Sequence, residues 1–470
     1  MPIEIKVVRT RAGIRNAHTR MPFRFGVTTM RAAPLLTLAA EIEDGEGARA
    51  TGYAADFLAY RWFDKRPHKS LADNCADLLR TVDVVRDLYL AAGEEGVASP
   101  FDLWRATCPE IERRALGFGF NRLGAAFGSS MLERAVIDGV GRLTGRSYFE
   151  LVRDGALGID LGAISPELCG RDLREFLPAR PLARLHVRHT VGLVDPITAA
   201  DVAEPVADGL PETLEEYLDV DGIGWLKVKV GGALGEDLAR LEAIARVLER
   251  RARRFAVTLD GNEQYRELDG FLALIEAIRA APALERLWRQ VLFIEQPLDR
   301  GVAMDPGVAP ALRAFGRAKP VIIDEADDRV GAFKDAVALG YRGVSHKNCK
   351  GIYKSLHNLA LAAVHNERLG RAALFLSAED FSNLPVVPLQ ADLASVALLG
   401  IGHVERNGHH YFRGLGHLSE AEKTSALAQH PDLYERREGE VFLRITGGTL
   451  NCASLQSPAW GLRPCLTWPR

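Results

Sequence analysis

From Leu185 onward the chain repeats one unit, a short apolar strand followed by a turn and a helix. The strand runs read LHVRHTVGL, WLKVKV, FAVTLD, LFIE, PVIIDE, GVSHK, LFLSAED and IGHVE. Most are β-branched or aromatic over four to six residues, which predicts parallel strands buried on both faces. Between them lie segments of helical periodicity such as EDLARLEAIARVLERRARR and LDGFLALIEAIRAAP. Strands alternating with helices build a parallel sheet, and seven or eight units in about 230 residues fit a closed barrel better than an open one.

The first third is patterned differently. IEIKVVRT, LLTLAAEIEDGEG and RATGYAADF form a meander, with a polar and aromatic loop at Arg20, Pro22, Phe23 and Arg24. Asp44-Gly45 and Glu46-Gly47 mark a hairpin turn. From Ser70 to about Val152 the spacing is helical. LADNCADLLRTVDVVRDLYLAAG predicts a helix stopping near Gly93, and a second helix starts at a serine cap with Glu133 three residues after Ser130. The domains expected are an α+β capping lobe over 1–180, to which 440–470 returns, and a barrel over 181–439.

At 470 residues the chain can hold a barrel and a second lobe. A net charge of −3 gives no basic excess, so neither nucleic acid nor a membrane surface is an expected partner. No apolar run reaches the roughly 18 residues of a membrane span. Residues 1–10 lack the apolar core of a signal peptide. Cysteines at 75, 108, 169, 349, 452 and 465 have no metal-knuckle spacing and read as free thiols in a reducing compartment, so a cytoplasmic protein is expected.

Five successive barrel strands end in charge: Lys227 and Lys229; Asp260; Glu295; Asp324 and Glu325; then Lys347, with Lys350 in the loop beyond. In a barrel these ends share one mouth. Side chains alternate along a strand, so Lys227 and Lys229 share a face. Two ammonium groups so close would depress each other's pKa and leave one able to act as a base near neutral pH. Asp260, Glu295 and Asp324 are spaced 35 and 29 residues apart, close to one strand–helix unit each. Three carboxylates on neighbouring strand ends repel unless a cation lies between them, and all-oxygen ligation suits Mg²⁺. Asp324 and Glu325 cannot both face the mouth, so Asp324 is taken as a ligand and Glu325 as bound to a lysine behind it. By the same alternation His346 points outward.

Asn262 and Glu405 are candidate substrate contacts. Glu379, Asp380, His409 and His410 also close the last two strands. Arg24 and Trp62, with Arg20 and Arg61, lie in segments that would close over the mouth and are further candidate substrate contacts. Lysine usage sharpens the site. Of 59 basic residues only 11 are Lys against 48 Arg, and four of the 11 stand in KVK and KNCK. Arg keeps its proton near neutral pH, whereas a desolvated Lys can lose it.

In this order the motifs resemble those of the enolase superfamily, in particular the muconate-lactonizing-enzyme-like subgroup of the mandelate racemase/muconate lactonizing enzyme family. The resemblance implies an α/β fold, a modified (β/α)7β TIM barrel with an α+β N-terminal capping domain completed by the C-terminal tail. KVKVG looks like the family's Lys-x-Lys motif, which gives Lys229 as acid/base and Lys227 as the residue that tunes it. LDGN, FIEQP and IIDE look like its metal motifs, implying Asp260, Glu295 and Asp324, and SHKNCKG implies Lys347 as the opposing lysine. There are departures. Ala326 stands where relatives usually carry Ser, HVERNGHHYF lacks the Asp-x-Asp of dipeptide epimerases, and LSAED lacks the histidine of mandelate-racemase-like members.

The expected function is Mg²⁺-dependent removal of the α-proton of a small-molecule carboxylate, giving a metal-stabilised enediolate. Two opposed lysines suit racemisation, epimerisation or cycloisomerisation. The alternatives are a dehydratase that β-eliminates water from a hydroxy (sugar) acid and a catalytically silent metal-dependent binding protein. A homo-oligomer is expected.

Overall fold

The computed structural model describes residues 2–25, 28–251, 254–462 and 467–468. The capping lobe opens with strands β1 (Ile5–Phe25), β2 (Thr28–Asp44) and β3 (Arg49–Phe57), antiparallel in that order. Every residue of β2 from Leu35 to Ala40 is buried, so this part of the sheet is covered on both faces. The turn after β2 is built by Asp44, whose carboxylate accepts from Glu46 N at 3.0 Å and Ala48 N at 2.8 Å. Residues 20–24 belong to β1 and not to a loop. After a register shift beyond His18, Phe23 pairs with Met30 and Arg24 with Thr29. A bulge absorbs the irregular pattern without ending the strand.

Three helices cover this sheet: α1 (Leu71–Glu95), α2 (Pro100–Gly117) and α3 (Arg122–Thr144). Ser70 and Asp73 form a capping box on α1, which runs two residues past Gly93. The serine start at 130 is corrected: α3 begins at Arg122, with Asn121 Oδ1 accepting from Gly124 N at 2.8 Å. Ser130 lies inside it and donates to Phe127 O at 2.9 Å. Leu123–Ala125 and 127–141 are all buried, so no amphipathic stripe marks where the helix begins. Its small residues allow a close approach to β3. A Cβ on Gly52 would overlap the Ala135 carbonyl and the Gly139 backbone.

The barrel strands are β4 (Arg184–Val191), β5 (Trp225–Lys229), β6 (Ala256–Asp260), β7 (Val291–Glu295), β8 (Val321–Ile323), β9 (Gly343–His346), β10 (Phe375–Ala378) and β11 (His403–Arg406). Each is parallel to the next, and β11 pairs with β4 to close an eight-stranded barrel. Lys229, Asp260 and Glu295 stand side by side in register. The tail forms a hairpin of β12 (Tyr434–Arg437) and β13 (Glu440–Leu443), then β14 (Thr449–Asn451). The expected return of 440–470 to the capping lobe is corrected for β14. It pairs antiparallel with 184–186, the part of β4 that reaches beyond β5 and would otherwise present unpaired backbone groups. The expected return is seen further on: Tyr148 N donates to Ala459 O at 2.9 Å, Trp460 Nε1 to Arg134 O at 3.3 Å and Arg15 Nη2 to Thr467 O at 2.7 Å, and the Arg11 guanidinium lies 4.4 Å from the centre of the Trp468 ring. Cys75, Cys108, Cys169, Cys349 and Cys452 are free thiols, while Cys465 lies outside the described residues. No helix among the described residues is long and apolar enough to cross a membrane.

One latch holds the capping lobe over the barrel mouth. Glu263, after β6, accepts from Arg300 Nε at 2.6 Å, from Arg300 Nη2 at 2.7 Å and from Lys65 of the capping lobe. Arg300 in turn donates to Trp62 O at 2.8 Å and Phe63 O at 3.0 Å. Burial alone would raise the Glu263 carboxyl, but Arg300 and Lys65 outweigh it and hold the pKa below the usual carboxylate value.

Two expectations follow from this packing. Gly52→Ala should lose roughly 1–3 kcal/mol of stability in a denaturant titration, because β3 must move off α3; an unchanged midpoint would contradict the close approach. Glu263→Gln should cost about 1–3 kcal/mol near pH 7 and speed tryptic cleavage at Lys65. The latch is complete above the unfolded carboxyl value of about 4.3 and is lost as pH falls through the lowered folded value. The gap in stability between the wild type and this variant should therefore shrink as acid is added, and a gap that stays constant would contradict this assignment.

Candidate active site

At the carboxyl end of β5 the Lys227 ammonium stands inside four carboxylates. It donates to Glu379 Oε2 at 2.7 Å and Glu405 Oε2 at 2.9 Å, and pairs with Glu295 Oε2 at 2.7 Å and Asp260 Oδ2 at 2.9 Å. Lys227 is 1% exposed. Burial lowers its pKa, but Asp260, Glu295, Glu379 and Glu405 outweigh burial and raise it well above the usual lysine value. The expectation that Lys227 and Lys229 chiefly depress each other is thereby overturned for Lys227, because opposite charges crowd it more closely than its neighbour does. Lys229 donates to Asp260 Oδ2 at 2.5 Å.

Across the barrel, Lys347 donates to Asp324 Oδ2 at 2.6 Å, and its ammonium lies 4.7 Å from the centre of the Trp62 ring. Burial would lower Lys347, yet Asp324 beside it leaves its pKa raised. Lys350 is buried and not a surface group. It donates to Ser345 Oγ at 2.8 Å and to Asp324 Oδ1 at 3.2 Å. Asp324, despite burial, is held low by Lys347, Lys350 and Lys227. Glu325 is not bound to a lysine: neither of its oxygens has a hydrogen-bond partner among the described residues. Burial and the charges of Glu263 and Asp324 push it up to about 7. His346 turns outward, 2.7 Å from Ser355 Oγ.

A cavity of about 50 Å³ lies over these groups. Lys227, Lys229, Lys347, Asn262, Asp380 and Glu405 form its polar side, and Phe23, Met30, Phe57, Trp62 and Phe381 its apolar side. Binding sites for small ligands usually span about 300–1,000 Å³, so the capping segments must withdraw to admit a substrate. Arg24 is exposed and does not line the cavity. Arg61 does not line it either. Arg20 is committed elsewhere, donating to Asp208 Oδ2 at 2.6 Å. His409 and His410 lie behind β4 and β11, away from the cavity. Phe381, Ser382 and Asn407 also line the cavity, and in the sequence their only signal is that they follow the charged ends of β10 and β11.

Mg²⁺ fits the donors present. Asp260 and Glu295 end adjacent strands, and Asp324 follows the next one. All three are at most 1% exposed. Glu295 Oε1 accepts no hydrogen bond among the described residues, an expensive state for a buried carboxylate unless a cation shares it. Burial and the charges of Asp260, Glu379 and Asp324 push Glu295 well up, and Lys227 offsets this only in part. The Lys227 ammonium already marks the gap between Asp260 and Glu295 as a place for positive charge.

No family model matches the chain, and no curated protein matches it by sequence. Solved structures do. A mandelate racemase/muconate lactonizing protein from Herpetosiphon aurantiacus superposes with a TM-score of 0.60 at 18% identity, over 97% of this chain and 98% of that one. Muconate lactonizing enzyme from Pseudomonas fluorescens, complexed with muconolactone, gives 0.60 at 17% identity over 97% and 96%. A dipeptide epimerase from Methylococcus capsulatus, complexed with Mg and the dipeptide L-Arg-D-Lys, gives 0.56 at 19% identity over 95% and 99%. Across nearly its whole length, the chain has the fold of the mandelate racemase/muconate lactonizing structures: an antiparallel capping sheet with helices, set over a closed parallel barrel.

Proposed function

We propose that this chain is an Mg²⁺-dependent isomerase of the enolase superfamily that moves the α-proton of a small carboxylate carrying an apolar substituent. One observation carries the reading. Lys229 and Lys347 come from β5 and β9, four strands apart and so opposite each other in an eight-stranded barrel, and both face one cavity. Each is hydrogen-bonded to a different member of the acid set, Asp260 and Asp324. Two amines on opposite sides of one carbon can remove a proton from one face and return it to the other.

Asp260, Glu295 and Asp324 would hold the ion. Bound there, Mg²⁺ supplies positive charge to the substrate carboxylate as the α-carbon loses its proton. Lys229 Nζ takes the proton on its side and Lys347 Nζ delivers one on the other. Lys227 stays charged and fixes Glu379 and Glu405 in place. Trp62, Phe23 and Phe381 exclude water from the carbanionic carbon. The apolar side of the cavity, which Trp62 brings against Lys347, favours racemisation, epimerisation or cycloisomerisation over dehydration of a polyhydroxylated sugar acid, which would leave hydroxyls unpaired against Phe and Met.

A panel of α-aryl and α-alkyl carboxylic acids incubated with the protein and Mg²⁺ in D₂O should show α-deuteration of at least one member by NMR. Lys229→Ala and Lys347→Ala should each slow turnover by about 10²–10⁴-fold and retain exchange with at most one enantiomer, while Mg²⁺ affinity stays within a few-fold of wild type. Glu295→Gln should instead weaken Mg²⁺ binding. No exchange across the panel with the ion bound would favour the binding protein, and lysine variants exchanging at wild-type rate would refute the proton-transfer roles.

A further inference from the structure

We propose that His189, His409 and His410 form a second metal site, nitrogen-rich and suited to a zinc-class ion, that fastens the capping hairpin to the barrel. His189 lies on β4 between Arg188 and Thr190. Thr190 reaches Glu405 and Arg188 reaches Ser377 inside the barrel, so by alternation His189 points out of it. His409 and His410 follow β11, the strand that closes against β4. Each of the three rings offers one nitrogen within 4.8 Å of the others. His189 Nδ1 and His409 Nε2 are 3.1 Å apart. Two nitrogens on a tetrahedral zinc at ordinary bond lengths lie roughly 3.3–3.4 Å from each other, close to the His189–His409 spacing, and ring rotation would have to bring the third nitrogen in.

Packing alone does not explain these rings. Against Tyr217, 4.6 Å from His189, and Tyr411, 3.9 Å from His410, they could be read as an aromatic cluster. That accounts for the ring faces, and the 3.1 Å hydrogen bond between His189 and His409 for one nitrogen of each of those rings, but not for the nitrogens of His410. His410 is 2% exposed, and neither of its nitrogens has a hydrogen-bond partner within 3.5 Å among the described residues. Asp195 Oδ2 stands 3.8 Å from His410 Nε2 and is itself aligned by Gly192 N at 2.7 Å and the Tyr411 hydroxyl at 2.5 Å. A carboxylate held beside a histidine is the usual support for a ligating ring.

The position also indicates what the ion would do. Arg20 of β1 donates to His410 O at 3.1 Å and to the Tyr217 hydroxyl at 3.3 Å, and Phe23 stacks on Tyr411 at 4.1 Å. The hairpin that carries Phe23 and Met30 over the active-site cavity therefore rests on the histidine cluster.

The test uses the full chain, stripped of metal by a chelator and titrated with Co²⁺ in excess Mg²⁺, which keeps the all-oxygen site filled. One equivalent of Co²⁺ should bind, with the intense visible band of a nitrogen-ligated four- or five-coordinate ion, and the melting temperature should rise. His409→Gln, at a half-buried position, should keep the fold by circular dichroism but weaken Co²⁺ binding by at least about 10-fold and lose the band. Glu295→Gln should retain the band, which separates this site from the one proposed for catalysis. A wild-type protein that shows no such band, or a band undiminished in His409→Gln, would overturn the site.

Discussion

Lys227 is the ion on which the barrel mouth depends. Without its charge, Asp260, Glu295, Glu379 and Glu405 would meet in a space with almost no water. A buried carboxylate lacking a counter-charge takes up a proton or forces its neighbours apart. With Lys227 at the centre, the acids of β6, β7, β10 and β11 converge on one point, and the strands that carry them keep their register. Glu379 and Glu405 complete the arrangement from the far wall, each also fixed by the barrel interior: Ser377 donates to Glu379 at 2.5 Å and Thr190 to Glu405 at 2.6 Å.

This cage divides labour among the lysines. Lys227 is held by four carboxylates and suits a permanent charge. Lys229 and Lys347 sit at the rim, each on one carboxylate and each open to the cavity. An amine that exchanges protons must be free to reach a reacting atom; Lys227 lines the same cavity, but its ammonium is shared among four carboxylates. Above them the latch of Glu263, Arg300 and Lys65 fixes the backbone at Trp62, so the capping segment is tied to the barrel through the loops after β6 and β7.

Much of this was legible in the chain. The eight barrel strands stand where short apolar runs stood, because period and length are local properties. The acidic set could be read from spacing near one strand–helix unit, since each such unit advances one stave around the barrel. What was not legible depends on distant partners. The contacts of Lys227 with Glu379 and Glu405 join residues 152 and 178 positions apart, which no local pattern records. Burial of Lys350 follows from Ser345 and Asp327 closing around it. The start of α3 was missed because a helix buried on all sides has no stripe. The strand at 20–24 was missed because a bulge breaks strict alternation, and the same segment turns Arg24 outward, away from the cavity.

The central claim, a divalent ion held by Asp260, Glu295 and Asp324 with a lysine on either side, is tested most directly by anomalous diffraction from a crystal soaked in Mn²⁺ as the Mg²⁺ mimic. The account expects an anomalous peak bounded by carboxylate oxygens of those three residues, within reach of the cavity that Lys229 and Lys347 face. A peak lying elsewhere, or Lys227 still bridging Asp260 and Glu295 with no ion beside them, would contradict it.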